Sequence, residues 1–286
     1  MANIRLIKRR IKSAKNIAQI TRAMELVAAS RMKKAQLQAL AGKAYAQKIY
    51  EMVVRLSPRV DSAHHELLGK SKSTSGKRLV VLLTTNKGLC GCLNTTLFRF
   101  LAREYPDLAR DRYIVVGKKG AYFLSHFNAQ LLADFSDRVP FVSIVPAVSA
   151  LVTTEYLKNE IDSVELVYNE FISALKQVPR RKTILPLSVA GGVAPEKRET
   201  GEILIEPNPE EVFRALIPHY LENQIRDAIL EAEASEHSAR MIAMRNATDN
   251  ATGLVSDLTL VYNKARQEKI TYEITDMVTA RLAVEV

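Results

Sequence analysis

Two cysteines in a glycine-containing segment are the first residues whose types and spacing could do chemistry. Cys90 and Cys92 are separated by one residue in the run Asn86-Lys87-Gly88-Leu89-Cys90-Gly91-Cys92-Leu93-Asn94. Residues two apart in an extended chain point in opposite directions, so a disulfide between them is unfavourable. A zinc site needs two further ligands, and the pair His64 and His65 lies far away in a polar segment. We therefore predict reduced cysteines and no bound metal.

The same segment follows a predicted strand and precedes a predicted helix, an arrangement that binds nucleotides in many α/β proteins. Its sequence matches neither G-x-G-x-x-G nor G-x-x-x-x-G-K-[ST], and Gly117-Lys118-Lys119-Gly120 also lacks the spacing. The acidic residues of the middle segment are scattered, and no Ser/His/Asp or paired-carboxylate pattern is present. We predict that the chain is not an enzyme by itself and needs no cofactor. A nucleotide-using α/β enzyme is the weakest alternative.

Proline and glycine mark a folded middle segment between two helical ends. All ten prolines lie between Pro58 and Pro218, and nine of the eleven glycines lie between Gly69 and Gly201. Within these limits short apolar runs alternate with helical patterns, which predicts a parallel α/β sheet with right-handed crossovers. The predicted strands are 79–83, 113–116, 164–168 and 184–190, and the predicted helices are 94–104, 121–126 and 144–161.

The N-terminal segment is predicted to be one long helix, because its first 57 residues contain no proline and only one glycine, Gly42. Small and apolar residues recur with alternating spacings of three and four, as in the seam of a coiled coil. Four further apolar residues widen the stripe and indicate a second contact surface: Ile17, Ile20, Met24 and Val27. The seam consists of Ile4, Ile7, Ile11, Ala14, Ala18, Thr21, Glu25, Ala28, Met32, Ala35, Ala39, Gly42, Ala46, Ile49, Val53 and Leu56.

The C-terminal segment returns to a helical pattern after Asn208, a candidate N-cap, with Pro209 at the first helical position. Pro218 is expected to kink or restart this helix. Alanine-rich seams in both terminal helices predict close pairing, and the intervening domain lets the second helix run antiparallel to the first. The predicted second seam is Ile225, Ala228, Ala232, Ser235, Ala239, Ile242, Leu254, Leu258, Val261, Ala265, Ile270, Ile274, Val278 and Leu282.

The expected fold class is α/β plus a long α-helical coiled coil. The N- and C-terminal helices form an antiparallel coiled coil, and the centre is a Rossmann-like α/β domain. Four segments follow along the chain: an N-terminal coiled-coil helix at 1–57, a linker at 58–77, the central domain at 78–206 and a C-terminal coiled-coil helix at 207–286.

The charge is unevenly distributed along the chain. Residues 1–56 contain 13 Lys and Arg against 2 acidic residues, whereas residues 209–286 contain 8 Lys and Arg against 13 acidic residues. The two helices are therefore complementary, yet the whole chain keeps a net charge of +10. This excess predicts an acidic or polyanionic partner. The alternative function is a basic coiled-coil protein that binds nucleic acid, although aromatic residues do not interleave with the basic ones.

The residues themselves resemble the gamma subunit of the F-type ATP synthase over the whole chain. The first helix resembles the family's opening helix, the turn Gly88-Leu89-Cys90-Gly91 resembles its strand-to-helix turn, and Ile270-Thr271-Tyr272-Glu273-Ile274-Thr275-Asp276 resembles its C-terminal signature. Departures at Asn86-Lys87, Cys92 and Thr279-Ala280-Arg281 identify a divergent member, and the expected absence of a presequence favours a bacterial one.

The resemblance implies a rotor shaft that couples ion flow to ATP synthesis or hydrolysis. It implies as partners the alpha and beta subunits of the catalytic head, the epsilon subunit and the membrane ring of c subunits, with no nucleic acid and no direct membrane insertion. The expected location is the cytoplasmic face of the bacterial inner membrane, as a peripheral protein.

The resemblance also implies which residues of the shaft contact the surrounding head. Met24 matches a family position that influences coupling, and Arg266 and Gln267 match residues that hydrogen-bond a loop of a catalytic subunit. Acidic loops of the catalytic subunits are expected to attract basic residues of the first helix. The full set of expected contacts is Met24, Arg9, Lys12, Arg31, Lys33, Lys34, Arg240, Arg266, Gln267 and Thr271.

Overall fold

The computed structural model describes residues 4–56, 76–158, 160–187 and 205–284. The chain divides into two compact units, one formed by Met1–Ala29 with Arg240–Val286 and the other by Ser30–Ala239. Among the described residues the helices are α1 (Ile4–Leu56), α2 (Leu93–Glu104), α3 (Lys118–Ser125), α4 (Val145–Leu157) and α5 (Pro209–Val284). The strands are β1 (Arg78–Leu83), β2 (Arg112–Val116), β3 (Gln130–Asp134), β4 (Ser163–Phe171) and β5 (Gln177–Leu185).

The first unit is a pair of antiparallel helical segments, one from α1 and one from α5. The hydroxyls of Thr21 and Thr248 lie 2.7 Å apart and join the two segments. One depression is lined by α1 residues from Leu6 to Ile17 together with Leu254 and Leu258 of α5. Residues that precede Thr21 in α1 therefore lie beside residues that follow Thr248 in α5, as an antiparallel pair requires. Each seam position predicted for α1 is buried or half-buried, which confirms the register.

The seam predicted for α5 is only partly correct in the first unit, where Ile242, Leu258 and Ala265 are buried or half-buried as expected. Leu254 and Val261 are 51% and 50% exposed, although the sequence pattern places them in the seam. Beyond Ala265 every side chain through Arg281 is exposed. A seam with the same alternating spacing, which shares Leu258 and Ala265 with the predicted one, passes through buried or half-buried residues only: Met244, Thr248, Ala251, Val255, Leu258, Tyr262 and Ala265.

The second unit contains a five-stranded sheet in the order β3-β2-β1-β4-β5. β1 pairs in parallel with both β2 and β4, and β2 pairs in parallel with β3. β5 runs antiparallel to β4 as the second strand of a hairpin. The prediction of a purely parallel sheet is therefore wrong at β5, and the sheet is mixed.

The two faces of the sheet carry different helices, because alternate residues of a strand point to opposite faces. Val80 and Leu82 pack with the buried side of α2, at Leu97 and Leu101. Leu79, Val81 and Leu83 belong to the other core. That core also contains the end of α1, most of α4 and the first part of α5, including Ile49, Val53, Val148, Val152, Phe213, Ile217, Leu221 and Ile225.

Several predicted element bounds need correction. The sequence predicts the last strand at 184–190, but β5 spans Gln177–Leu185, and residues 188–190 lie outside the described part. The sequence pattern does not predict β3. α5 does not restart at Pro218, because it is one helix from Pro209 to Val284. The four-segment division stays a prediction, and residues 58–75 of the expected linker lie outside the described residues.

Candidate functional site

The basic residues of α1 form an exposed charged surface. All 13 Lys and Arg of α1 are exposed, including Arg9, Lys12, Arg31 and Lys33. The ion pairs Arg22–Glu25 and Lys48–Glu51, each at 2.8 Å, involve two of the 13. Exposed pairs of this kind contribute little to stability. Most of the positive charge of α1 is thus available to a partner.

Within the first unit, Arg9 lies on a depression of about 490 Å³. Lys12 follows it at the next turn of α1, on the exposed surface. The depression is lined by two arginines and by several apolar side chains. Its lining residues are Leu6, Arg9, Arg10, Ser13, Ala14, Ile17, Leu254 and Leu258.

Five further residues of the predicted site, Met24 on α1 and four residues on α5, fall into two environments. Met24 and Arg240 are half-buried. Arg266, Gln267 and Thr271 are exposed in the last part of α5. The Thr271 hydroxyl donates a 3.0 Å hydrogen bond to the Gln267 carbonyl, so this hydroxyl is held against its own helix. The structure brings Gln267 and Thr271 together, and the Arg266 guanidinium projects from the same turn.

In the second unit, the charge of Lys34 acts on Glu233 of α5. Burial raises the pKa of Glu233, and the neighbouring Glu236 carboxylate raises it further. The Phe141 backbone N–H and the charge of Lys34 lower the pKa of Glu233. Lys34 therefore favours the ionised form of a half-buried carboxylate of its own chain, an influence that sequence spacing does not reveal.

Replacing Glu233 with Gln is expected to stabilise the chain at pH 8. The raised pKa means that the wild-type stability falls as pH rises above the unfolded value of about 4.3 and through the folded value. The substituted amide carries no charge, so the melting-temperature gain of the variant should be present at pH 8 and absent at about pH 4. This difference in melting temperature is measured by thermal unfolding of the full-length variant and wild-type chains at both pH values. The control is Glu268→Gln, on the exposed part of α5; an equal gain at both pH values would contradict the argument.

The carboxyl end of β1 is locked onto the start of α3. The Thr84 hydroxyl donates to the Gly117 carbonyl at 2.9 Å and accepts the Gly120 N–H at 2.9 Å. Gly117 has φ +106°, and a Cβ there would lie 2.2 Å from the Thr84 carbonyl oxygen. These glycines therefore serve a close backbone approach rather than a ligand.

The first amides of α3 already have partners within the chain. The Lys118 N–H donates to Asn86 Oδ1 at 2.9 Å, and the Lys119 N–H donates to the Thr85 carbonyl at 3.1 Å. Phosphate sites at helix N-termini need such amides to be available. The start of α3 is accordingly unsuited to hold a phosphate.

The crevice where an α/β sheet usually binds its ligand is occupied by α5. Crossovers from β1 lead to β2 and β3 on one side, while β4 lies on the other, so the switch point is between β1 and β4. α5 contributes Ile229, Ala232, Glu233 and Glu236 to this place, and the cavity left there measures about 10 Å³. A space of that size holds about one water. The edge of the sheet at which α/β proteins usually bind a ligand therefore packs against α5 of the same chain.

The two cysteines are free, with Cys90 buried and Cys92 exposed. The Asn94 side-chain amide donates to the Thr85 hydroxyl at 2.7 Å and to Cys90 Sγ at 3.5 Å, which connects the start of α2 to the residues that follow β1. Across the described ranges no group of three His, Cys, Asp or Glu could hold a metal ion.

Similarity to known proteins decides between the remaining interpretations. A family model described as ATP synthase matches residues 3–284. The ATP synthase gamma chain of Opitutus terrae is 44% identical over 297 residues, covering 99% of both chains, and that of Moorella thermoacetica is 38% identical with full coverage of both. The chain belongs to the ATP synthase gamma chain family. The resemblance seen in the sequence is confirmed, and the nucleic-acid-binding alternative has no support.

Solved structures agree with this assignment. A chain in the central stalk and c-ring structure of Tetrahymena thermophila mitochondrial ATP synthase is 26% identical, with a TM-score of 0.58 over 80% of this chain and 99% of that chain. A chain from the Euglena gracilis enzyme is 21% identical with a TM-score of 0.65 over 98% of this chain and 94% of that chain, which supports the fold.

As an ATP synthase gamma chain, the protein is a non-catalytic rotor subunit of a membrane-associated complex. No helix in the described part of the chain is both long and apolar enough to cross a membrane.

Proposed function

We propose that this gamma chain is the shaft that couples rotation of a membrane ring of c subunits to the catalytic sites of a head of alpha and beta subunits. The epsilon subunit is proposed as a further rotor partner. The Tetrahymena relative is described in a central stalk with the c-ring, and the Euglena relative in an assembly of OSCP, F1 and c-ring, which supports these partners. The proposed location is the cytoplasmic face of a bacterial inner membrane.

The observation that carries the proposal is the exposed basic surface of α1. Arg31 and Lys33 form no ion pair with the described residues, and both side chains are exposed. A surface of one charge steers and orients an oppositely charged partner. We infer that acidic loops of the catalytic subunits pass over this surface as the shaft turns.

Two further groups of residues are proposed as contacts with the head. Arg9 and Lys12 offer charge beside the apolar depression of the first unit. Arg266 offers a bidentate guanidinium to a carboxylate or carbonyl of a catalytic subunit, with Gln267 beside it. Met24, Arg240, Thr271 and Lys34 complete the proposed set, although Lys34 also serves Glu233.

Reversing charge at Arg31 and Lys33 tests the proposed function. The variant Arg31→Glu with Lys33→Glu should bind an alpha–beta hexamer about tenfold more weakly at low salt, because two weak ionic contacts together change the binding free energy by about 1.4 kcal/mol. The difference should shrink at high ionic strength, where exposed charges are screened. The affinity of each variant is measured at both salt concentrations by passing the chain over an alpha–beta hexamer that is immobilised on a surface.

The matched control keeps the charges and exchanges the side chains, as Arg31→Lys with Lys33→Arg. This control should bind as the wild type does. Wild-type affinity for the charge-reversed variant at low salt would remove α1 from the proposed contact surface. Absence of any binding by the wild-type chain would reject the shaft function itself.

A further inference from the structure

Four polar side chains form a stripe along α5 where it packs against the hairpin of β4 and β5. They are Asp227, Glu231, Ser235 and Ser238, spaced four, four and three residues apart, so they share one face of the helix. Ser235 and Ser238 are 0% exposed. The neighbouring helix positions are apolar and buried, among them Ile225, Ala228, Ile229 and Ala234. Such a polar stripe in an apolar contact needs a specific explanation.

The two serines bind the hairpin through its backbone. The Ser235 hydroxyl donates to the Asn169 carbonyl at 2.9 Å, and the Ser238 hydroxyl donates to the Ala174 carbonyl at 2.6 Å. Asn169 lies two residues beyond Val167, the last residue of β4 that pairs with β1. The serines therefore hold the part of the hairpin that extends past the neighbouring strand.

The hairpin turn is also fixed beside Ser238. The Gln177 side-chain amide donates to the Ala174 carbonyl at 3.1 Å and to the Ser238 hydroxyl at 3.5 Å. Backbone hydrogen bonds between Ser173 and Lys176 close the turn itself. The contact between turn and helix is thus made of directional bonds between defined atoms.

Charged groups continue the stripe towards the start of α5. Burial lowers the pKa of Lys182 on β5, while the charges of Glu231 and Asp227 raise it. Burial raises the pKa of both Asp227 and Glu231, and the charge of Lys182 lowers it in each. Around Glu231, Tyr168 also contributes a hydrogen bond, and Arg180 and Glu170 form an ion pair across the hairpin.

Such a stripe specifies alignment better than it adds stability. Apolar contacts are non-directional and tolerate sliding, whereas a hydrogen bond weakens steeply when its geometry changes. Buried charged pairs give little net stability, and fixing a register is their best-attested use. A shift of α5 by one residue would separate the Ser235 and Ser238 hydroxyls from the Asn169 and Ala174 carbonyls.

We propose that this stripe is a register lock through which the α/β domain and α5 turn as one element, with Ser235 and Ser238 as the positioning residues for torque transfer. The inference rests on the proposed function, in which the ring turns the α/β domain and α5 acts on the head. Without the lock the apolar contact remains, but the helix slips against the hairpin under load.

The double variant Ser235→Ala with Ser238→Ala tests the lock in the reconstituted whole complex. ATP hydrolysis and ATP-driven ion pumping are measured on the same vesicles. We expect hydrolysis within about twofold of wild type and about fivefold fewer ions pumped per ATP, the population change that follows from losing two hydrogen bonds, each at the low end of the usual net contribution. A merely structural role would lower the yield of complex and leave the ratio of ions to ATP unchanged, which would overturn the proposal.

Two further variants make every outcome decisive. Thr154→Ala removes an exposed hydroxyl of the same unit that bonds only within α4, and it should keep the wild-type ratio. If the double variant fails to assemble, the single variants Ser235→Ala and Ser238→Ala are both measured, each of which leaves the other serine bonded to the hairpin. A wild-type ratio in both would overturn the lock. Failure of the wild-type chain to support pumping would instead reject the proposed function.

Discussion

Replacing Gly117 with Ala is expected to prevent stable folding of the α/β domain. The residue has φ +106°, and the added Cβ would lie 2.2 Å from the Thr84 carbonyl oxygen and 2.6 Å from its hydroxyl oxygen. The ends of β1 and β2 cannot move apart to make room, because the Thr84 N–H donates a 2.7 Å hydrogen bond to the Val116 carbonyl. Strain and overlap together should cost about 3–5 kcal/mol in the free energy of unfolding.

Chemical denaturation of the full-length chain measures this loss, and Gly42→Ala is the matched control. A Cβ at Gly42 meets nothing within 4 Å, and the residue lies inside α1. Alanine in a helix interior is favoured over glycine by about 1 kcal/mol, so the control should be stabilised. Loss of less than about 1 kcal/mol at Gly117 would show that the backbone approach between β1 and α3 is adjustable.

The contrast between these two glycines shows what the sequence can predict. Gly42 fits a helical pattern that is visible locally, and spacing alone predicts the seam of α1 correctly. The requirement for Gly117 comes from Thr84, which is 33 residues earlier in the chain. The local sequence around Gly117 therefore cannot predict that this position requires glycine.

Strand prediction fails where the strands lie at the edges of the sheet. β3 has exposed residues at both leucines, and β5 contains Arg180, Arg181 and Lys182 in its middle. Edge strands are commonly polar and charged, so they lack the apolar run that marks β1 and β2. The antiparallel direction of β5 follows from the short turn after Phe171, because a tight hairpin cannot join parallel strands.

The candidate site is predictable in part, for a physical reason. Exposure of Arg9, Lys12, Arg31 and Lys33 follows from their spacing relative to the α1 seam. The electrostatic influence of Lys34 on Glu233 does not follow from spacing, since it depends on how α1 and α5 pair in the second unit. Residues that act on other subunits have their partners outside this chain, so neither their spacing nor their exposure defines the contact.

Met24 is the position where a single substitution is expected to affect coupling most. Its side chain is half-buried on α1, and the exposed apolar residues Ile20 and Val27 flank it along the helix, at 59% and 53% exposure. Apolar side chains exposed on a rotor surface indicate contact with another chain. The neighbouring Glu25 already pairs with Arg22 at 2.8 Å, so an added charge at Met24 has no free carboxylate beside it on α1.

The variant Met24→Lys should leave ATP hydrolysis within about twofold of wild type and lower ion pumping about tenfold, the effect of roughly 1.4 kcal/mol at one rotary position. The ammonium group must be desolvated at an apolar contact or pair with an acidic loop of a catalytic subunit. Either event changes the relative energies of the rotary positions, and pumping against a gradient tolerates such a change less well than unloaded hydrolysis. Both rates are measured in the reconstituted complex.

Two variants serve as controls. Met24→Leu conserves the side-chain volume, and Gln19→Lys adds the same charge at an exposed position of α1. Because both controls should pump normally, unchanged pumping by Met24→Lys would place Met24 outside the contact between shaft and head.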